Sequence, residues 1–159
     1  MTEDFYPLLD ETTQLELNAA ELYRIFHVAF PDDADFWWKL HLEEKNHAAL
    51  IRAGREDFLP VGKFPLDMVS QQLEEVKRAN FVLATLISKY QDAPPLRQEA
   101  FQTALLLEES TAELHFQKFM SKEADSKLDE IFQQLNREDR DHAIRIRSYM
   151  EDHEIENTP

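Results

Sequence analysis

The chain of 159 residues contains no cysteine. That excludes disulfide scaffolds, thiolate-bound zinc or iron–sulfur sites, and cysteine nucleophiles. Glycine occurs only at Gly54 and Gly62, so no glycine-rich phosphate loop of either common type can be built. The same scarcity speaks against an all-β fold turned by tight hairpins. Positive charge is short as well: 17 Lys and Arg stand against 32 Asp and Glu, for a net charge of −15. Such a chain repels phosphate backbones. Its densest basic run, Arg140 to Arg147, is interrupted by Asp141 and His142, so no nucleic-acid partner is expected. The longest apolar stretch, Phe81 to Ile87, is far too short to span a bilayer. The first residues, Met1-Thr2-Glu3-Asp4, lack the positive charge and apolar segment of a secretory signal. A cytoplasmic protein without membrane partners is expected.

What is present is core-forming material. Apolar residues make up 43% of the chain, with eleven Phe and two Trp, enough for one folded domain over residues 1–159. The apolar residues recur at three- and four-residue spacing, the period of an α-helix and not of a strand. Leu9, Thr12, Glu16, Ala19, Tyr23, Phe26 and Phe30 form one stripe, ended by Pro31-Asp32-Asp33. A second helix starts near Asp35, carries Trp37, Leu40, Glu44, His47 and Ile51, and stops around Gly54. A third runs from beyond Pro65 to about Gln91, before Pro94-Pro95. A fourth passes through Phe101, Ala104, Glu108, Ala112, His115 and Phe119. The last is expected as one helix from about Lys127 to Glu151, with Leu128, Phe132, Leu135, Asp139, His142, Ile146 and Tyr149 in line. The expected fold is all-α: two antiparallel hairpins, residues 5–55 and 97–151, joined by a helix-containing crossover over 56–96.

Acids and histidines stand on these apolar stripes, where a carboxylate is costly unless it is paired or bound to a metal. The second and last helices repeat one pattern: Trp37, Leu40, Glu44, His47, Ile51 and Phe132, Leu135, Asp139, His142, Ile146. An acid and a histidine at i and i+3 project from one helix face and can hold one ion. Chance alone supplies about one such pair in this composition. The weight lies in the matching flanks and in a stripe Glu, Glu16 or Glu108, on each partner helix. Glu21 and Glu113, five residues further on, fall about 140° around the helix, toward solvent. Glu108 is preferred to its neighbour Glu109 because its setting repeats that of Glu16. The candidate ligands are therefore Glu16, Glu44, His47, Glu108, Asp139 and His142; a structural carboxylate–histidine network is the alternative. Tyr23 is a candidate partner of a ligand carboxylate or a packing residue, and His115 an added ligand, a hydrogen-bond donor to one, or a core histidine. Trp37 suits the core, and Trp38 the surface or a subunit contact in a homodimer. His27, His41 and His153 have no acid at ligand spacing.

The six-residue set resembles the ligand pattern of the ferritin-like di-iron carboxylate proteins: one Glu from each of two helices and an acid-x-x-His pair from each of the other two. Within them the chain is similar to the rubrerythrins, on Glu16 followed by Tyr23 and on Leu42-Glu-Glu44-Lys-Asn-His47-Ala. The resemblance implies a ferritin-like four-helix bundle holding two iron ions, with manganese or zinc as substitutes compatible with the donors. It also implies redox chemistry with peroxide or dioxygen, as a rubrerythrin-type peroxidase or a ferroxidase. Three departures are visible. Without cysteine there is no rubredoxin module, so a peroxidase would draw electrons from a separate protein. Thr111 stands where the family has a second Glu on the third bundle helix. Asp139, one methylene short of the family's bridging Glu, implies a weaker second metal. The rival expectation is a metal-free or single-metal all-α binding or assembly module with an eroded site.

Overall fold

The computed structural model describes residues 5–69, 72–137 and 141–157, with the side chains of 111–114 excepted. Among these residues the chain is all-helical, with no strand. The helices are α1 (Phe5–Ala29), α2 (Ala34–Asp57), α3 (Leu73–Asp92), α4 (Arg97–Glu108), α5 (Thr111–Ser121), α6 (Lys127–Leu135) and α7 (His142–Asp152). Among the described residues no helix is long and apolar enough to cross a membrane.

Helices α1 and α2 form the expected antiparallel hairpin, turned by Pro31–Asp33 with Pro31 opening a short helical turn, where its missing N–H costs nothing. Asp10 pairs with Arg55 at the far end (2.6 Å), Glu16 faces His47 midway (3.5 Å), and Tyr23 stacks on Trp37 near the turn (5.7 Å between ring centres). Every residue of the Trp37, Leu40, Glu44, His47, Ile51 stripe is buried. The crossover helix α3 runs along α1 in the same direction: Asn80 donates to the Glu11 carbonyl (2.9 Å), and Phe26 meets Tyr90 (5.8 Å). Pro94-Pro95 then turns the chain into α4, whose Phe101 packs on Phe36, Trp37 and Tyr149. Helix α7 runs antiparallel to α4, with Tyr149 beside Phe101 and His142 beside Glu108. Aromatic side chains from α1, α2, α4 and α7 thus share one core, each well-placed ring pair adding about 0.5–1.5 kcal/mol beyond its buried area.

The two helices expected in the second half are each divided. The fourth expected helix breaks after Glu108, where Ser110 is extended and precedes α5; Ser and Thr there compete for backbone hydrogen bonds and favour caps over helix interiors. The last expected helix ends at Leu135 and resumes at His142. Asn136 turns inward, fully buried, with its amide donating to the Phe132 carbonyl (2.7 Å), and Asp141 takes a left-handed conformation (φ 60°) that Asp tolerates better than most residues. Leu135 is consequently exposed, not on a core stripe as the continuous period predicts.

Candidate metal centre

Four helices bring their polar core residues to one level. α1 supplies Glu16 and Tyr23, α2 supplies Glu43, Glu44 and His47, α4 supplies Glu108 at its last position, and α7 supplies His142 at its first. Among the described residues, two groups have ligand atoms that all lie within 4.8 Å of one another: Glu16, Glu44 and His47, and Glu44, Glu108 and His142. Glu44 belongs to both. One of its oxygens lies 2.9 Å from Nδ1 of His142, and the other lies 3.7 Å from Nδ1 of His47. Glu16 reaches His47 Nδ1 at 3.5 Å, and Glu108 reaches His142 Nδ1 at 3.4 Å. The imidazole centres are 6.2 Å apart.

Both Glu44 oxygens, Oε2 of Glu108 and Nδ1 of His142 are buried without a properly aligned hydrogen bond. They stand at ion-pair distance from one another but make no hydrogen bond. Burying such atoms without compensation is expensive, and a cation removes the expense. Oxygen and imidazole donors suit iron, manganese or zinc. On this test each of the two groups, Glu16 with Glu44 and His47, and Glu44 with Glu108 and His142, could hold a metal ion.

The electrostatics divide the carboxylates. Burial, and then the Glu44 carboxylate, push Glu16 well above the ordinary range. Burial also raises Glu108, with Glu44 adding to it and His142 opposing. Burial would raise Glu44 too, but its contacts with Glu16, His142 and His47 outweigh that and hold it well below. Burial opposes the charge on both histidines, yet the surrounding carboxylates raise each of them well above the ordinary imidazole value. The Tyr23 hydroxyl donates to Glu108 Oε1, while its ring stacks on Trp37.

The remaining sequence candidates fall elsewhere. Glu21 pairs with Arg24 at the surface, with bonds of 2.9 and 2.6 Å. Glu109 pairs with Arg147 across the α4–α7 seam. His115 is half-buried on α5 and belongs to neither acid–histidine group. Asp139 lies outside the described residues, as do the side chains of Thr111 and Glu113. Trp37 is fully buried and Trp38 is 41% exposed, as their positions predict. His41, set aside in the sequence, is buried and meets the Ala20 carbonyl at 2.7 Å.

One residue is missed by sequence reasoning. Glu43 is buried, with Oε2 at 3.1 Å from Nε2 of His142, and Arg145 grips both of its oxygens at 3.0 and 2.8 Å. A signal for it exists: Glu43 stands three residues after Leu40 and four before His47, so it falls on a broadened core face of a helix packed on several sides.

A small cavity of about 10 Å³ opens beside Glu16 and His47, room for one water-sized molecule. Leu50, Ile51, Met68, Val69 and Phe116 supply its apolar wall, and Thr12 and Asn136 its polar one. No family model matches the chain, and no curated protein or solved structure matches it.

Proposed function

We propose that the chain is a ferritin-like four-helix bundle of two hairpins, with α3 in the crossover, and that its core holds two iron ions. Glu16, Glu44, His47, Glu108 and His142 are the ligands, with Asp139 added from the sequence pattern. The observation that carries this reading is the Glu44 carboxylate, whose two oxygens face two different acid–histidine sets with neither oxygen in an aligned hydrogen bond. The proposed activity is redox chemistry with peroxide or dioxygen, as a rubrerythrin-type peroxidase or a ferroxidase. When bound, the metals supply the electrons and the site at which the oxygen–oxygen bond is reduced.

The chain contributes placement and exclusion. Glu44 is shared by the two halves, Tyr23 holds Glu108 in orientation, and burial keeps bulk water from the carboxylates. The cavity beside Glu16 and His47 has room for one water-sized molecule and none for an organic substrate. A peroxidase cycle would take its electrons from a separate donor protein, because the chain has no cysteine to hold an iron–sulfur or rubredoxin centre.

A second reading is favoured by the ion-pair distances around His142, which lies 2.9–3.4 Å from three carboxylates. Protonated histidines would then neutralise the cluster internally, leaving a metal-free helical binding module. Metal analysis after anaerobic ferrous loading separates the two. Two irons per chain, oxidised on adding peroxide or dioxygen, support the first; the faster oxidant distinguishes peroxidase from ferroxidase. A chain that retains no iron, manganese or zinc supports the second and overturns the first.

A further inference from the structure

We propose that the groove between α3 and α4 is a dimer interface, in which α3 of a second copy of this chain lies antiparallel to α3 about a two-fold axis at Val82. The surface is independent of the metal-centre reading: none of its residues belongs to either acid–histidine group. Helix α3 buries Val76, Asn80, Leu83 and Tyr90, and Asn80 and Tyr90 meet α1. On the next face round, Ala79, Val82 and Leu86 line a groove of about 680 Å³ whose other wall is Thr103, Leu106 and Leu107 of α4. Val82 is 51% exposed, Leu106 73% and the adjacent Phe81 74%, so the groove is apolar and open to solvent. From Ala79 to Ser88 no residue is charged, in a chain where 31% of residues are. An exposed helix without charge over nearly three turns marks a surface that a partner covers.

The charges at the two ends of the groove select the partner. Glu75, Val82 and Lys89 follow one another at seven-residue spacing, close to one line along the helix. The line carries an acid at one end, a base at the other and an apolar residue midway. An antiparallel copy centred on Val82 sets Glu75 against the partner's Lys89 twice over, as an isologous contact requires. It also lays the Arg78 stem along the partner's Leu86. A parallel copy would set like charge against like. Glu75 Oε2 is shielded from solvent and has no hydrogen bond among the described residues. The Lys89 side chain is 65% exposed, and its ion pair with Glu99 is a long 3.9 Å, so both ends are open to a partner. Elsewhere two copies at −15 each repel, and this uncharged stretch with balanced ends is where they approach at least cost. From Glu75 to Lys89 the helix rises about 21 Å. A strip of that length is at the small end of specific interfaces, so the dimer should dissociate in the micromolar range.

The test is sedimentation velocity of the full chain loaded from about 1 to about 300 μM, which spans a micromolar equilibrium, with circular dichroism to confirm helicity. The wild type should pass from monomer to dimer. Val82→Glu, at a position half-exposed in the single chain, should stay helical and monomeric throughout. Glu75→Lys and Lys89→Glu should each raise the dissociation constant by about tenfold or more, since each sets like charges opposite one another. An equal mixture of those two variants should regain the wild-type constant, because every end contact in the mixed dimer is again acid against base. If either charge variant fails to fold, Val82→Cys takes its place. In a chain with no other cysteine, it should cross-link into a dimer on oxidation with diamide, and Trp38→Cys on α2 should not. A wild type that stays monomeric at about 300 μM overturns the proposal. So does a dimer that Val82→Glu leaves intact, a mixture that binds no more tightly than its components, or cross-linking through Trp38→Cys and not Val82→Cys. None of these outcomes alters the metal count, so the two readings fail separately.

Discussion

The hydroxyl of Tyr23 on α1 donates to the carboxylate of Glu108 on α4, joining two residues 85 positions apart in the middle of the core. Tyr23 has no exposed surface and stacks on Trp37, so its ring is fixed by packing independently of the hydroxyl. Tyr23→Phe therefore removes the donor and little else. Glu108 Oε1 would then lack its partner in a buried setting. Unfolding of the metal-free variant in urea should show a loss of about 1.5–3 kcal/mol, the range for a hydrogen bond to a charged group. Metal loading should shrink that loss.

Asp33, in the turn between α1 and α2, is a second long-range tie. Arg97 at the start of α4 gives it two hydrogen bonds, 2.7 and 2.8 Å, and the Tyr149 hydroxyl of α7 gives a third, 2.7 Å. Burial pushes the Asp33 carboxyl up, but Arg97 and Tyr149 outweigh it and hold the group below the ordinary 3.8. Burial and Asp33 in turn push Tyr149 up to about 12, so it remains a donor at neutral pH. A depressed folded pKa stabilises the native state above the unfolded value, and the contribution is lost as pH falls through the folded value. Asp33→Asn should cost about 1–2 kcal/mol at pH 7. That is less than a fully buried pair would lose, because Arg97 is 40% exposed to solvent screening. The deficit should narrow as the pH falls below 3.8, which melting curves of both proteins at pH 7 and near pH 3 would measure.

Gly54 tests the packing at the far end of the hairpin. It lies inside α2, where Ala would gain about 1 kcal/mol by helix propensity. A Cβ there would meet Phe64 at 2.5 and 2.7 Å and Phe132 at 3.2 Å. Both rings are buried and packed on one another, so neither has open space to enter. Overpacking of this kind costs about 1–3 kcal/mol. Gly54→Ala should therefore lower the melting temperature despite the better helix former, and Phe64→Leu in the same chain should recover part of the loss.

How much of this was readable beforehand depends on whether the local signal and the tertiary result agree. The α2 stripe of Trp37, Leu40, Glu44, His47 and Ile51 is buried throughout because the helix is unbroken and its period carries full information. Phase and level along the helix point to Glu16 over Glu21, whereas Glu108 was preferred to Glu109 because its setting repeats that of Glu16. The breaks after Glu108 and Leu135 were not legible, because apolar residues continue in register across both. Only Ser110-Thr111 and Asn136 hint at them, and such residues also occur inside helices. Glu43 was missed for a different reason. A single stripe describes a helix buried on one side, whereas α2 meets α1, α4 and α7, which brings a wider arc inside.

The ligand assignment makes a stoichiometric prediction. Glu44 is the residue common to both acid–histidine groups, while Glu16 belongs only to the His47 group and Glu108 only to the His142 group. If the two groups each hold one ion, Glu16→Ala should leave one metal per chain, and Glu108→Ala should leave one as well. Glu44→Ala should reduce the count toward zero, since it strips a ligand from both halves and leaves the rest facing each other without their shared charge. Glu21→Ala provides the control: its carboxylate is engaged with Arg24 at the surface, so the metal count should equal that of wild type. The measurement is metal analysis of each purified variant after loading and desalting, with circular dichroism to confirm helicity. Ligand loss should also lower the melting temperature of the loaded protein toward that of the metal-free form, because only the native state gathers these side chains. A Glu44→Ala chain that keeps one metal would place the shared carboxylate on one side only. Equal losses for Glu16→Ala and Glu21→Ala would mean that the phase of α1 does not decide which acid binds.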